Sequence, residues 1–216
     1  LASQAGFQIL EAGGNAVDAG VAVGLAINVL ESEMTGFGGV APTMIKLAGS
    51  GKIRNFVGVG PWPKALSAKY FREHHDGRVP SGILDSVVPA APDIWLTALE
   101  WYGTLSFSEV AQAAIRFARD GFPMYPMMVE GLRVHFDEFN DLESTAAIFA
   151  PGGELPKVGD CFRQSDLAAT LQYLCDEEQA GVAAGGRDNG FAAARRAFYE
   201  GDIAAAIVRQ QEEEGG

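Results

Sequence analysis

The opening stretch LASQAGFQILEAGGNAVDAGVAVGLAINVLESEMTGFGG, residues 1–39, is nearly free of charge and rich in Ala and Gly. Ser3 stands where it can cap a first helix running to about Ala12, and the Gly13-Gly14 doublet supplies the left-handed residue that commonly ends one. Asn15 then predicts the N-cap of a second helix, with Asp18 three residues on to complete a capping box in the favourable field of the first turn. From Ala19 to Ile27 that helix has no polar face, so it must be covered nearly all round. The run is interrupted at Asn28 and falls short of the roughly 20 residues that cross a bilayer, which reads as a buried helix. A helix enclosed in this way so early in a chain calls for more protein to pack over it.

Beyond residue 39, Val40 to Leu47, the Gly49-Ser50-Gly51 turn and Lys52 to Val59 read as a β-hairpin with apolar residues on both faces. PWPKALSAKYFREHHDG returns to helix, with Pro63 suited to its first turn and Gly77 to its end. Helical signals then dominate. Asp93 to Tyr102 stops at Gly103; Ser106 and Glu109 make a capping box for a helix ending at Gly121; Pro126 opens another to about Phe136. Ser165 is expected to cap a helix to about Glu177, and Phe191 to Glu200 and Ile203 to Glu213 follow. EQAGVAAGGRDNG, residues 178–190, reads as a mobile loop, and no internal repeat is visible. The fold class expected is α+β, helix-rich, with residues 1–216 as one domain.

Composition narrows the function classes. An apolar content of 48% over 216 residues is enough for a substantial core. A formal charge of −12, from 28 acidic against 16 basic residues, repels nucleic-acid phosphates and anionic membrane surfaces, so neither is expected as a partner. Cys161 and Cys175 sit outside any metal-ligand or disulfide pattern and read as buried thiols of a reducing compartment, which favours a cytoplasmic location over a periplasmic or secreted one. No basic segment precedes an apolar one as in a signal peptide.

Self-contained catalytic motifs are missing: there is no HExxH, paired CxxC, G-x-S-x-G or Walker loop, and no metal or cofactor is expected. Gly36, Gly38 and Gly39 offer backbone N–H groups to an anion, but their spacing is not a dinucleotide fingerprint and no strand precedes them, which favours a turn or close-packing role. His74 and His75 are adjacent on a helix, so their side chains diverge by about 100° and do not share a metal. His135 becomes a base only if the fold brings a partner to it. VGVGPWPK, residues 57–64, is different in kind: glycines, prolines, Trp62 and Lys64 at a strand end form a stiff segment that either lines a pocket or connects strand to helix.

Residues 1–39 resemble the start of the large subunit in the gamma-glutamyltransferase family, whose pattern is LAS.AG..IL..GGNAVDAA.A....L.V.EP..SG.GGG. PKALSAKYF, VVPAAPDIWLTALEWYGTLSFSEVAQAAIRFARDGFPM and AFYEGDIAAAIVRQQEEEGG resemble later segments of the same family in the same order. The resemblance implies an N-terminal nucleophile hydrolase with a four-layer αββα sandwich, completed by a small (beta) subunit cut from the same precursor. It implies a catalytic Thr at the new N-terminus of that subunit, so no catalytic residue is expected in residues 1–216, and it admits a dimer of such heterodimers. The substrate implied is a small-molecule amide.

One departure from the family pattern bears on that substrate. Where the family has GRE.AP, this chain reads GVGPWP, which puts Val59 at the Arg that holds a γ-glutamyl carboxylate and Gly60 at the Glu. Valine cannot replace a bidentate guanidinium. Val59, Gly60 and Trp62 are therefore expected to border a pocket for a smaller or more apolar acyl group, with Lys64 or Arg54 as alternative cations. The rival expectations are a true glutathione hydrolase or transpeptidase whose Arg comes from elsewhere, and a non-catalytic scaffold or binding module derived from the fold.

Overall fold

The computed structural model describes residues 1–80, 82–140 and 142–215. Along the chain lie α1 (Ala2–Glu11), α2 (Ala16–Leu30), β1 (Thr43–Lys46), β2 (Ile53–Phe56), α3 (Ala68–His74), α4 (Ala91–Tyr102), α5 (Phe107–Val110) and α6 (Gln112–Asp120). They are followed by β3 (Phe122–Pro123), α7 (Pro126–Val134), α8 (Phe136–Asn140), α9 (Glu143–Phe149), β4 (Cys161–Phe162), α10 (Ser165–Gly185), α11 (Arg187–Tyr199) and α12 (Asp202–Glu213). The chain is thus helix-rich with few strands. It divides into two compact units, residues 1–36 with 103–176, and residues 37–102 with 177–216.

In the first unit α2 is the core element, with Val21, Ala22, Leu25, Ala26 and Val29 all buried. Its capping box forms as the sequence predicts: Asn15 Oδ1 accepts from the N–H groups of Val17 and Asp18, and the Asn15 N–H donates to Asp18 Oδ2 at 2.8 Å. Asp18 does more than cap. Fully buried, its carboxylate also accepts from the Thr104 N–H at 2.9 Å, the Thr104 hydroxyl at 2.6 Å and the Leu105 N–H at 3.2 Å. Burial works against its charge, but the Thr104 hydroxyl and the backbone donors of Asn15, Leu105 and Thr104 outweigh that and hold the carboxyl below its usual range. The start of α2 is thereby bolted to the Gly103–Leu105 turn. Phe122 of β3 pairs with Phe162 of β4, and Phe149 stacks on Phe162 at 5.4 Å.

In the second unit β1 and β2 form an antiparallel hairpin in which Thr43 faces Phe56 and Lys46 faces Ile53. Helices α4 and α11 pack together, and Leu96 and Leu99 of α4 and Phe191 and Ala194 of α11 are buried. The carbonyl of Gly39 accepts from the N–H groups of Ala90 and Ala91, both at 3.0 Å, which satisfies donors at the start of α4. Gly39 thus presents a carbonyl to the start of α4.

Several sequence expectations need correction. Ser3 lies inside α1, whose N-cap is Leu1 without a side-chain bond. Pro63 stays outside α3, because Ser67 supplies a better start by accepting the Tyr70 N–H at 3.2 Å. The helix opened by Ser106 is broken at Ala111 into α5 and α6. The strands are shorter than Val40–Leu47 and Lys52–Val59, and Met44, Ile53 and Val57 are 71%, 59% and 71% exposed. Residues 178–190 are helical apart from Gly186, which joins α10 to α11 with φ +84°. Cys175 is buried as expected, but Cys161 is exposed.

Candidate functional site

The second unit holds a cavity of about 890 Å³ walled by Val57–Pro61, Val88–Ala90, the first turn of α4 and one face of α11. Its first wall is the segment that continues β2. Gly58 and Gly60 adopt φ of +56° and +77°, and a Cβ at Gly58 would run into the Ala41 carbonyl, one at Gly60 into that of Val88. Only glycine allows both the left-handed turns and the close approach. The segment is pinned by the Ala41 N–H donating to the Gly58 carbonyl at 2.8 Å and the Val88 N–H donating to the Pro61 carbonyl at 2.9 Å.

The opposite wall is held by Tyr199 and Arg195 of α11. The Tyr199 hydroxyl donates to the Pro89 carbonyl at 2.7 Å and accepts from the Asp93 N–H at 3.2 Å, so one side chain fixes both the 88–90 segment and the start of α4. Burial, with the negative charge of Asp93, pushes this phenol up to about 12, so it remains a neutral donor across the physiological range. Arg195 donates from Nε to Asp93 at 2.6 Å and from Nη2 to Glu100 at 3.0 Å and Thr97 at 3.1 Å. Burial opposes its charge, but these carboxylates outweigh that and raise its pKa further. Arg195 is thus committed to α4, whereas Arg196 and Glu200, which also line the cavity, are exposed at the end of α11.

Val59 and Gly60 line this cavity; Trp62 does not, its ring lying 5.3 Å from that of Phe71. Lys64 and Arg54 are exposed and stand outside the lining. The residues that sequence reasoning missed are Asp93, Arg195, Arg196, Tyr199 and Glu200. Their signal was a helix carrying RRAFYE opposite one carrying Asp93 and Glu100, but nothing local pairs segments a hundred residues apart. Elsewhere, His135 meets Glu138 at 3.0 Å on an exposed helix turn, and His74 and His75 lie against Tyr70 at 4.7 and 5.6 Å. These are local surface contacts.

Chemically, the cavity offers an apolar wall of valines and prolines, a fixed tyrosine and one uncommitted guanidinium. It has the makings of a binding site for a small organic acid or acyl group, and among the described residues that line it no nucleophile stands beside a base.

Comparison with known proteins gives a consistent answer. The family model described as gamma-glutamyltranspeptidase matches residues 2–216. The chain is 32% identical over 219 residues to the glutathione hydrolase-like YwrD proenzyme of Bacillus subtilis, covering all of this chain and 38% of that protein. It is 35% identical over 187 residues to the acylase ACY 1 proenzyme of a Pseudomonas species, covering 82% of this chain and 33% of the relative. Among solved structures, that of cephalosporin acylase from Bacillus halodurans superposes with a TM-score of 0.83 at 29% identity, over 100% of this chain and 38% of the other. The chain therefore spans between 33% and 38% of the length of these relatives.

Proposed function

The chain belongs to the gamma-glutamyltranspeptidase family, and we propose that it forms the large-subunit portion of a self-processing amide hydrolase that is not strict for γ-glutamyl groups. The observation that carries this reading is the cavity wall: the segment leaving β2 presents Val57 and Val59, with no arginine between Ile53–Phe56 and Pro61. The acylase names among the relatives support a site open to other acyl groups.

In this reading the remainder of the precursor supplies the nucleophile, as the family resemblance implies: a Thr freed by self-cleavage attacks the amide carbonyl with its hydroxyl. Its own α-amine, with a pKa of roughly 7.7–8.0, takes the hydroxyl proton near neutral pH and returns it to the leaving amine. Backbone donors of the small subunit stabilise the oxyanion, and water or an acceptor amine releases the acyl group from Thr. The present chain positions the acyl group in the cavity of the second unit. The open edges of the β1–β2 hairpin are where further strands would add to build the four-layer αββα sandwich.

The test is expression of the whole precursor with and without an Ala in place of the junction Thr. Two polypeptides and an amidase activity are expected from the parent, and neither from the variant. Undiminished amidase activity in the variant would overturn the mechanism, and a precursor with no junction Thr would point to a scaffold. Strong preference for a γ-glutamyl anilide over simple acyl anilides would reject the relaxed specificity.

A further inference from the structure

We propose that Tyr199 is a positioning residue for the acyl group: its hydroxyl, acting through Pro89 and Val88, holds the Val57–Pro61 wall in the shape that grades acyl chains by size. This rests on the reading of the cavity as the acyl site.

The wall does not hold itself. Gly58 and Gly60, at φ of +56° and +77°, flank Val59 and put a hinge on either side of the side chain presented to the cavity. Backbone hydrogen bonds fix the segment at two points, the Gly58 carbonyl on the Ala41 N–H at 2.8 Å and the Pro61 carbonyl on the Val88 N–H at 2.9 Å. Between them Gly60 lies so close to the Val88 carbonyl that a Cβ would run into the oxygen. The place of the wall therefore follows the place of Val88.

Val88 is in turn placed by what holds its neighbours. Ala90 and Ala91 donate to the Gly39 carbonyl, and the Pro89 carbonyl accepts from the Tyr199 hydroxyl at 2.7 Å. Packing adds little, because Val88, Pro89 and Tyr199 line both the acyl cavity and a second, apolar cavity of about 380 Å³. A strap bordered by two cavities has few neighbours to press against, so hydrogen bonds set its position. Tyr199 itself is well anchored. Phe198 beside it is buried with its ring edge-on to Phe37 at 5.8 Å, and Arg195 one turn back joins α11 to Asp93 and Glu100 of α4. The Asp93 N–H donates to the Tyr199 oxygen at 3.2 Å, which leaves the phenolic proton for Pro89. Without that oxygen the Pro89 carbonyl and the Asp93 N–H lose this partner and the strap is released.

The experiment uses the complete, self-cleaved protein and Tyr199→Phe, which keeps the ring and removes the hydroxyl. The parent is expected to grade acetyl, butyryl and hexanoyl anilides over a range of at least roughly 10-fold in kcat/KM, the scale on which an apolar pocket separates chains by size. Tyr199→Phe should flatten that range to within about threefold, chiefly through KM. Val59→Ala should flatten it as well, and the double variant should add nothing to either single one, because both act on the same wall. Hydrogen exchange needs no turnover: the amides of residues 57–60 and Val88 should exchange roughly 10-fold faster in Tyr199→Phe, with those of α6 in the first unit at the parent's rate.

Anilide turnover whose grading survives Tyr199→Phe overturns the proposal and leaves the amidase reading intact. Faster exchange confined to residues 57–60 and Val88, in a protein that cleaves none of the anilides, sustains the hold of Tyr199 on the wall and overturns the amidase reading instead. Additive losses in the double variant, or faster exchange spread over both units, would reduce Tyr199 to a part in general stability and overturn the proposal.

Discussion

Asp18 concentrates what sequence reasoning can and cannot reach. Its capping role is legible because Asn15 and Asp18 are three residues apart. Its bonds to Thr104 and Leu105 are not, since the partners lie 86 and 87 positions away and nothing in the GT dipeptide at Gly103-Thr104 announces an acceptor. Replacing Asp18 with Asn turns an acceptor-only group into one that presents N–H donors to N–H and O–H donors. A loss of about 3 kcal/mol is expected, the scale of a buried charge-assisted network left unsatisfied. The sign of the pH dependence follows from the lowered carboxyl. Asp18 contributes its stability fully above the unfolded-state pKa of about 3.9, and that contribution drains away as pH falls through the lower folded value. Urea unfolding at pH 7 should therefore show a large gap between parent and Asp18→Asn, and the gap should shrink toward pH 3. A gap that stays constant with pH would mean that the ionised form carries no special stabilisation.

Glycine within helices is where composition misleads. Residues 178–190 look like a loop because they are polar and glycine-rich, yet they are the end of α10 and the start of α11. The reason is contact between helices. A Cβ at Gly181 would lie 2.6 Å from the Asn189 carbonyl oxygen and 2.9 Å from the Gly190 Cα, and one at Gly190 would lie 3.0 Å from the Glu178 carbonyl oxygen. These glycines let two backbones approach, a purpose that no single segment reveals. Gly20 of α2 is the opposite case: it is exposed, and a Cβ there meets nothing within 4 Å. Alanine substitution should accordingly change sign with position. Gly20→Ala is expected to stabilise by up to about 1 kcal/mol through helix propensity alone. Gly181→Ala gains the same propensity but must push backbone apart, for a net loss of about 1–3 kcal/mol. Thermal unfolding of the two variants beside the parent checks this, and a stabilised Gly181→Ala would mean that α10 and α11 do not approach so closely.

The chain as a whole shows why its family is plainer in the sequence than its site. Residues 1–39 carry a contiguous pattern, whereas the cavity draws its walls from residues 57–61, 88–94 and 192–200, which become one surface only after folding. What remains uncovered is equally telling. Met44, Val57 and Trp101 of the second unit are 71%, 71% and 62% exposed, and Val59 is 48% exposed. Apolar side chains in such number on one compact unit mark surface that other protein is meant to cover. Against this stands the net charge of −12, which drives copies of the chain apart. The balance between these forces is set by salt, because screening shortens charge repulsion while leaving apolar attraction in place. Residues 1–216 expressed alone should therefore stay dispersed at about 0.01 M salt and associate at about 0.5 M, as seen by light scattering over a concentration series. Ile53→Lys with Val57→Lys should suppress the association by placing charge on the hairpin surface. Association that weakens as salt rises would identify ion pairing as its cause, and dispersion at every salt concentration would show that the apolar surface is too divided to act as an interface.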